Sequence, residues 1–248
     1  MFGKRIPLFK LFGFSVCIDA SWFILAIFIT WSLANWLFPD HFHGLPTATY
    51  WWMGVAGASG LFASIVFHEF CHSIIARRYG LPMKGITLFI FGGVAEMADE
   101  PESPKAEFLM AIAGPISSVV LATGLLFLYV VGKHAAWSEP INGVLWYLWF
   151  INYVLAGFNL LPAFPLDGGR VLRSILWAIK GNLRWATRIA SRLGSGFGLF
   201  LIIMGAINVF KGSVPGGIWL FLIGMFIRNA SQMSYRQLLM RRSLAGEK

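Results

Sequence analysis

The chain has 248 residues, 57% hydrophobic and 12% charged, with a mean hydropathy of +0.69 and a net charge of +9. A soluble domain carries about 25% charged residues, so the composition excludes a soluble enzyme and marks a polytopic membrane protein whose apolar residues fall in repeated long runs. The basic residues lie between those runs rather than in one patch, which argues against a nucleic-acid partner, and two cysteines, Cys17 and Cys71, make no disulfide framework.

Met1 to Cys17 is basic and amphipathic, and its residue types fit either a strand or a segment lying on the membrane surface. The apolar run that follows is longer than a signal-peptide core, so a retained first span is expected over about 18–37, with Asp19 at its watery edge. The connection to Tyr50 carries His41 and His43, but two loop histidines without a third ligand hold metal weakly, and a solvated loop is the simpler reading. A second span is expected over 51–76, closed by Arg77 and Arg78. Gly54, Gly57 and Gly60 lie on roughly one side of it and would let a neighbouring helix approach closely.

That second span contains Phe67-His68-Glu69-Phe70-Cys71-His72, and Glu69 is its only charge. On a helix, His68 and His72 project from one face a turn apart. Two imidazoles so placed can share one zinc ion, with Glu69 beside them to take a proton from the attacking water. Ionisable residues inside a lipid-spanning helix are costly and mark functional sites.

Between the second and third spans the chain turns irregular. Gly80 and Pro82 break the helix, and two β-prone runs around Gly92-Gly93 predict a hairpin over 86–97. Such an apolar hairpin at membrane depth needs protein or a wet cavity beside it, and it would offer an edge to an extended peptide. Asp99, Glu100, Glu102 and Glu107, with Lys105, read as a solvated linker and helix start.

A third span is expected over 108–131 and a fourth over 141–161. The fourth runs into Asn159-Leu160-Leu161-Pro162-Ala163-Phe164-Pro165-Leu166-Asp167-Gly168-Gly169-Arg170, where the prolines forbid regular helix and the glycines free the backbone. The break presents Asn159 and Asp167 at membrane depth. Residues 171–192 read as a basic interfacial helix pair, followed by a fifth span over 193–210 and a short sixth over 214–230. Six spans put 18 Lys and Arg on one side and two, Lys133 and Lys211, on the other, so both termini are expected in the cytoplasm. The expected architecture is a single unit over 1–248: an α-helical polytopic membrane protein of six transmembrane helices with a membrane-associated β-hairpin.

Two imidazoles, one carboxylate and a water make a catalytic zinc site, with His68, His72 and Asp167 as ligands of one ion per chain. Zinc draws the pKa of a bound water to about 7 and polarises a peptide carbonyl. Glu69 then serves as general base and acid. Asn159 either donates to the developing oxyanion or bridges helix backbones. Cys71 is a less suitable ligand, because its neighbour His72 would have to share the metal awkwardly.

His68-Glu69-Phe70-Cys71-His72 in the second span, with Asn159, Pro162, Asp167 and Gly168 in the register N-x-x-P-x-x-x-x-D-G, resembles the site-2 protease family of intramembrane zinc metalloproteases. Phe91-Gly92-Gly93-Val94 and Ala113-Gly114-Pro115 extend the similarity, while Cys71 stands where the family commonly has Gly. The resemblance implies regulated intramembrane proteolysis of membrane-spanning substrates in a cell membrane, with substrate held by strand addition to the 86–97 hairpin. Many similar prokaryotic proteins continue after a tail like Ser234 to Leu239 into paired nucleotide-binding CBS domains. This sequence carries none, so it is either a core-only member or part of a longer chain. The alternative is an ion or proton transporter using the His68, Glu69, His72 and Asp167 cluster as a relay. Substrate and oligomeric state are not encoded in any motif.

Overall fold

In the computed structural model, residues 5–11, 13–81, 83–89, 92–97 and 101–244 are described. They divide into two compact units, Met1–Glu100 with Ala113–Gly157, and Pro101–Ile112 with Phe158–Lys248.

The first unit holds a four-stranded sheet of order β1-β2-β3-β4. Its strands are β1 (Arg5–Leu11), β2 (Phe14–Asp19), β3 (Met83–Phe89) and β4 (Gly92–Met97). The N-terminal segment that fitted either a strand or a place on the membrane surface is an antiparallel strand pair, and β2 adds to β3 in parallel, Val16 opposite Ile86. The first span accordingly starts at Ser21 rather than Ile18. Ile18 and Asp19 end β2, where Asp19 is buried and accepts a hydrogen bond from the Ser21 amide. The expected hairpin is present as β3–β4, but Gly92 and Gly93 open β4 instead of forming the turn. Ile90 and Phe91, between the strands, lie outside the described residues.

From β2 the chain enters α1 (Ser21–Ser32), a π turn (Leu33–Leu37) and α2 (Phe38–His41), then α3 (Thr47–Arg78). His41, which ends α2, and His43 are exposed, each bonded through Nδ1 to a carbonyl four residues back. The glycine stripe of α3 does what its spacing implied. A Cβ at Gly54 would meet the Thr30 carbonyl at 2.7 Å, and one at Gly60 would meet Leu148 at the same distance. Around that stripe Leu33, Phe38, Met53, Leu61 and Tyr147 form a buried apolar cluster. Tyr147 belongs to α5 (Glu139–Asn159), and Asn152 of α5 donates to Ser64 of α3 at 3.0 Å. A buried amide at this depth costs energy unless it finds such a partner. Between them in sequence comes α4 (Pro104–His134), whose residues are divided between the two units.

The second unit contains α6 (Asp167–Lys180), α7 (Leu183–Phe210) and α8 (Val214–Leu244). Gly181 ends α6 in the left-handed conformation with φ +63°, a geometry that favours glycine, and the Asn182 side chain caps α7 by accepting from the Trp185 amide. The expected helix pair over 171–192 is present as α6 and the start of α7, but α7 runs unbroken through the point where the fifth span was to begin. Arg184, Arg188 and Arg192 recur every four residues, so one exposed face takes the charge while Ala186, Thr187, Ala190 and Ser191 are buried. Further along, α7 and α8 meet backbone to backbone: a Cβ at Gly205 would sit 2.6 Å from the Gly217 carbonyl, and one at Gly224 equally close to that of Gly198.

Glu107 departs from the expected solvated acidic cluster. It is 0% exposed and pairs with Arg173 of α6, itself 4% exposed. Asp99 and Glu100 lie outside the described residues. Among the described residues, five helical stretches are long and apolar enough to cross a membrane: Ser21–His41, Thr47–Arg78, Pro104–His134, Glu139–Asn159 and Leu183–Phe210. The sixth expected span falls within α8, which is not among the five.

Candidate metal centre

His68 and His72 stand one turn apart on α3 and are 3% and 8% exposed. Their Nε2 atoms face each other at 3.1 Å, with the rings nearly perpendicular at 78°. Two nitrogens each about 2.0–2.1 Å from one tetrahedral zinc would be roughly 3.3 Å apart. The apposition thus fits a shared ion.

Two residues of α4 shape the pair. Ser118 Oγ lies 2.9 Å from His68 Nδ1. With Nδ1–H donating to that hydroxyl, the Nε2 lone pair is left for a metal. Gly114 faces the other side. A Cβ there would fall 2.5 Å from His68 Nε2 and closer still to His72 Nε2. The space that a side chain would fill is therefore kept clear at the point where both nitrogens converge. Glu69 is half-buried next to His68, and Ser73 Oγ donates to its backbone carbonyl at 2.9 Å. Cys71 is a half-buried free thiol.

Asn159 and Asp167 belong to the second unit, and both are half-buried. Asn159 is the last residue of α5 and Asp167 the first of α6, where the helix dipole favours a carboxylate. The loop between them is tightly built. Gly168 has no room for a Cβ against the Leu160 and Leu161 carbonyls, nor has Gly169 against Ala163 and the Phe164 amide. The Phe164 carbonyl accepts from Ser231 of α8, and the Arg173 guanidinium lies 5.2 Å over the Phe164 ring. These contacts give the Asp167 end of α6 a fixed frame within its unit.

The histidine pair is legible in the sequence, and the two α4 residues that shape it are not. Ala113-Gly114-Pro115 was visible as a resemblance without a role, and Ser118 gave no signal at all.

A buried histidine pair on an apolar helix, with a glycine where both nitrogens converge, is an arrangement that could hold a metal ion. The chain belongs to peptidase family M50, whose model matches residues 56–135 and 129–204. A protein of Synechocystis sp. that carries a zinc metalloprotease name is 39% identical over 94% of this chain. Rip3 of Mycobacterium tuberculosis, similarly named, is 39% identical over 92% of it. The chain spans 60% and 58% of the length of these relatives. The solved structure of the site-2 protease from Methanocaldococcus jannaschii shares the fold, with TM-score 0.65 and 29% identity, covering 94% of this chain and 95% of that one.

Proposed function

We propose that this chain is the core of a zinc-dependent intramembrane protease, hydrolysing peptide bonds in or near the transmembrane segments of membrane-protein substrates. The observation that carries the reading is the 3.1 Å apposition of the His68 and His72 Nε2 atoms beside Gly114. His68 and His72 supply two ligands of one zinc ion, and Asp167 supplies the third. The support for Asp167 is its place in the second motif and its rigid loop. Zinc, when bound, polarises the scissile carbonyl and makes water a nucleophile near neutral pH. Glu69 takes the proton of the attacking water and returns it to the leaving amine nitrogen. The Asn159 side-chain amide donates to the carbonyl oxygen as it gains charge.

Substrate enters as an extended strand along β4. Among the described residues no strand pairs with the outer edge of β4, and an open edge is a template for strand addition. The chain works as a single unit, α8 makes the sixth crossing and both termini face the cytoplasm. The support is the bias of 18 basic residues against two.

The test is metal analysis of purified protein alongside cleavage of a co-reconstituted single-span substrate. About one zinc per chain is expected. Glu69→Gln should keep the metal and lose about 10²–10⁴-fold in rate, whereas Asp167→Ala should lose metal and cleavage together. Full activity in the Glu69→Gln protein would sink the reading.

A further inference from the structure

The second unit carries a basic cavity that the proteolytic reading does not use. It has a volume of about 610 Å³ and lies between α7 and α8, lined by Arg188, Arg192, Arg236, Ser191, Tyr235 and Gln232 among others. A neighbouring hollow of about 290 Å³ shares Arg188 and adds Arg184 and Trp185. No acidic residue lines either one, and between Asp167 and Glu247 the sequence has none.

Four guanidinium groups without a carboxylate repel one another unless an anion joins them. Ser191 is a second, independent sign. It is 6% exposed, lines the cavity, and its hydroxyl has no hydrogen-bond partner among the described residues. A buried hydroxyl normally finds a partner, and leaving it without one is costly. Arg188 is already oriented, its Nε donating to the Tyr235 hydroxyl at 3.0 Å. That bond, with Arg184 beside it, holds the Tyr235 phenol below its usual pKa, as a positive field does.

The surroundings select among anions. Guanidinium forks match phosphate oxygens. Leu193 and Met233 are exposed next to Arg192 and Gln232 in sequence, and Trp185 is exposed beside Arg184. Basic side chains next to exposed apolar residues and a tryptophan are the pattern of a headgroup site at a membrane boundary. A dissolved phosphate would have no use for the apolar neighbours. We propose that the Arg188, Arg192, Arg236 and Ser191 cavity binds the phosphate of an acidic phospholipid headgroup, with the acyl chains running along the exposed apolar residues beside it.

Native mass spectrometry of the purified, delipidated chain tests this, after addition of an equal mixture of phosphatidylglycerol and phosphatidylcholine. The intact chain is expected to retain the acidic lipid roughly tenfold over the neutral one. R188Q/R192Q/R236Q should bring the two to parity, and S191A should reduce the preference several-fold. K211Q, at the other end of α7, should leave it unchanged. Parity in the wild type, or an unaltered preference in the triple variant, would overturn the proposal. So would displacement of the lipid by millimolar inorganic phosphate, which would assign the cavity to a dissolved anion. Should the triple variant lose helical content, S191A decides, because it removes one hydroxyl and no charge.

Discussion

Arg173 of α6 and Glu107 of α4 form an ion pair with both side chains withdrawn from solvent. Arg173 lies six positions after Asp167 on the same helix, so the pair fixes the helix that begins with the proposed third ligand. A buried charge that loses its partner is left uncompensated. Glu107→Gln alone should therefore destabilise the protein by about 3–5 kcal/mol, and adding Arg173→Met should restore most of that loss. Unfolding in detergent, followed by helical circular dichroism, measures both. Equal stability of the single and double variants would show that the pair is not closed in solution.

Gly114 offers a sharper test of the histidine pair. Its Cβ position is contested by both Nε2 atoms, so Gly114→Ala should lose most bound zinc while the helix still forms. Gly124, also on α4, has nothing within 4 Å of a Cβ. Gly124→Ala should keep the metal and gain roughly 0.5–1 kcal/mol of stability. Zinc per chain by elemental analysis separates the two variants.

Ser118→Ala removes the partner of His68 Nδ1. The ring is then free to take the other tautomer or to rotate. Loss of such a partner typically weakens metal affinity by about 10–100-fold. Chelator competition at fixed pH should show that loss, with the fold unchanged.

The α7–α8 contact depends on glycine backbones that touch. Gly205→Val should destabilise the pair by about 1–3 kcal/mol through overpacking. Gly196→Ala, on α7 with nothing within 4 Å of a Cβ, should be neutral or mildly stabilising. Protease resistance of the detergent-solubilised protein is a suitable readout.

The sequence was most legible where a period or a spacing carried the information. The histidines four residues apart are apposed, and the Gly54, Gly57 and Gly60 stripe admits its neighbours. It was least legible where the partner lies far along the chain. Glu107 sits beside Glu102 and Lys105 and looks solvated, yet its partner is 66 residues away. Ser118 meets His68 across 50 residues. The continuity of α7 was not legible because arginines every four residues suggest a helix separate from the span, although one exposed face takes them all. The first strands stayed undecided because a short basic, amphipathic segment also fits the membrane surface, and pairing with β3 decides between them.

The parallel pairing of β2 with β3 imposes an order on synthesis. β2 ends at Asp19 and β3 begins at Met83. A ribosome adding about 5–20 residues per second makes the roughly 60 residues between them in several seconds. Through that interval the β1–β2 ribbon exists without its neighbour, while α1 and α3 are handed to the bilayer. A nascent chain stalled before Met83 would therefore expose a naked strand edge, and a holdase that shields such edges would find its target there.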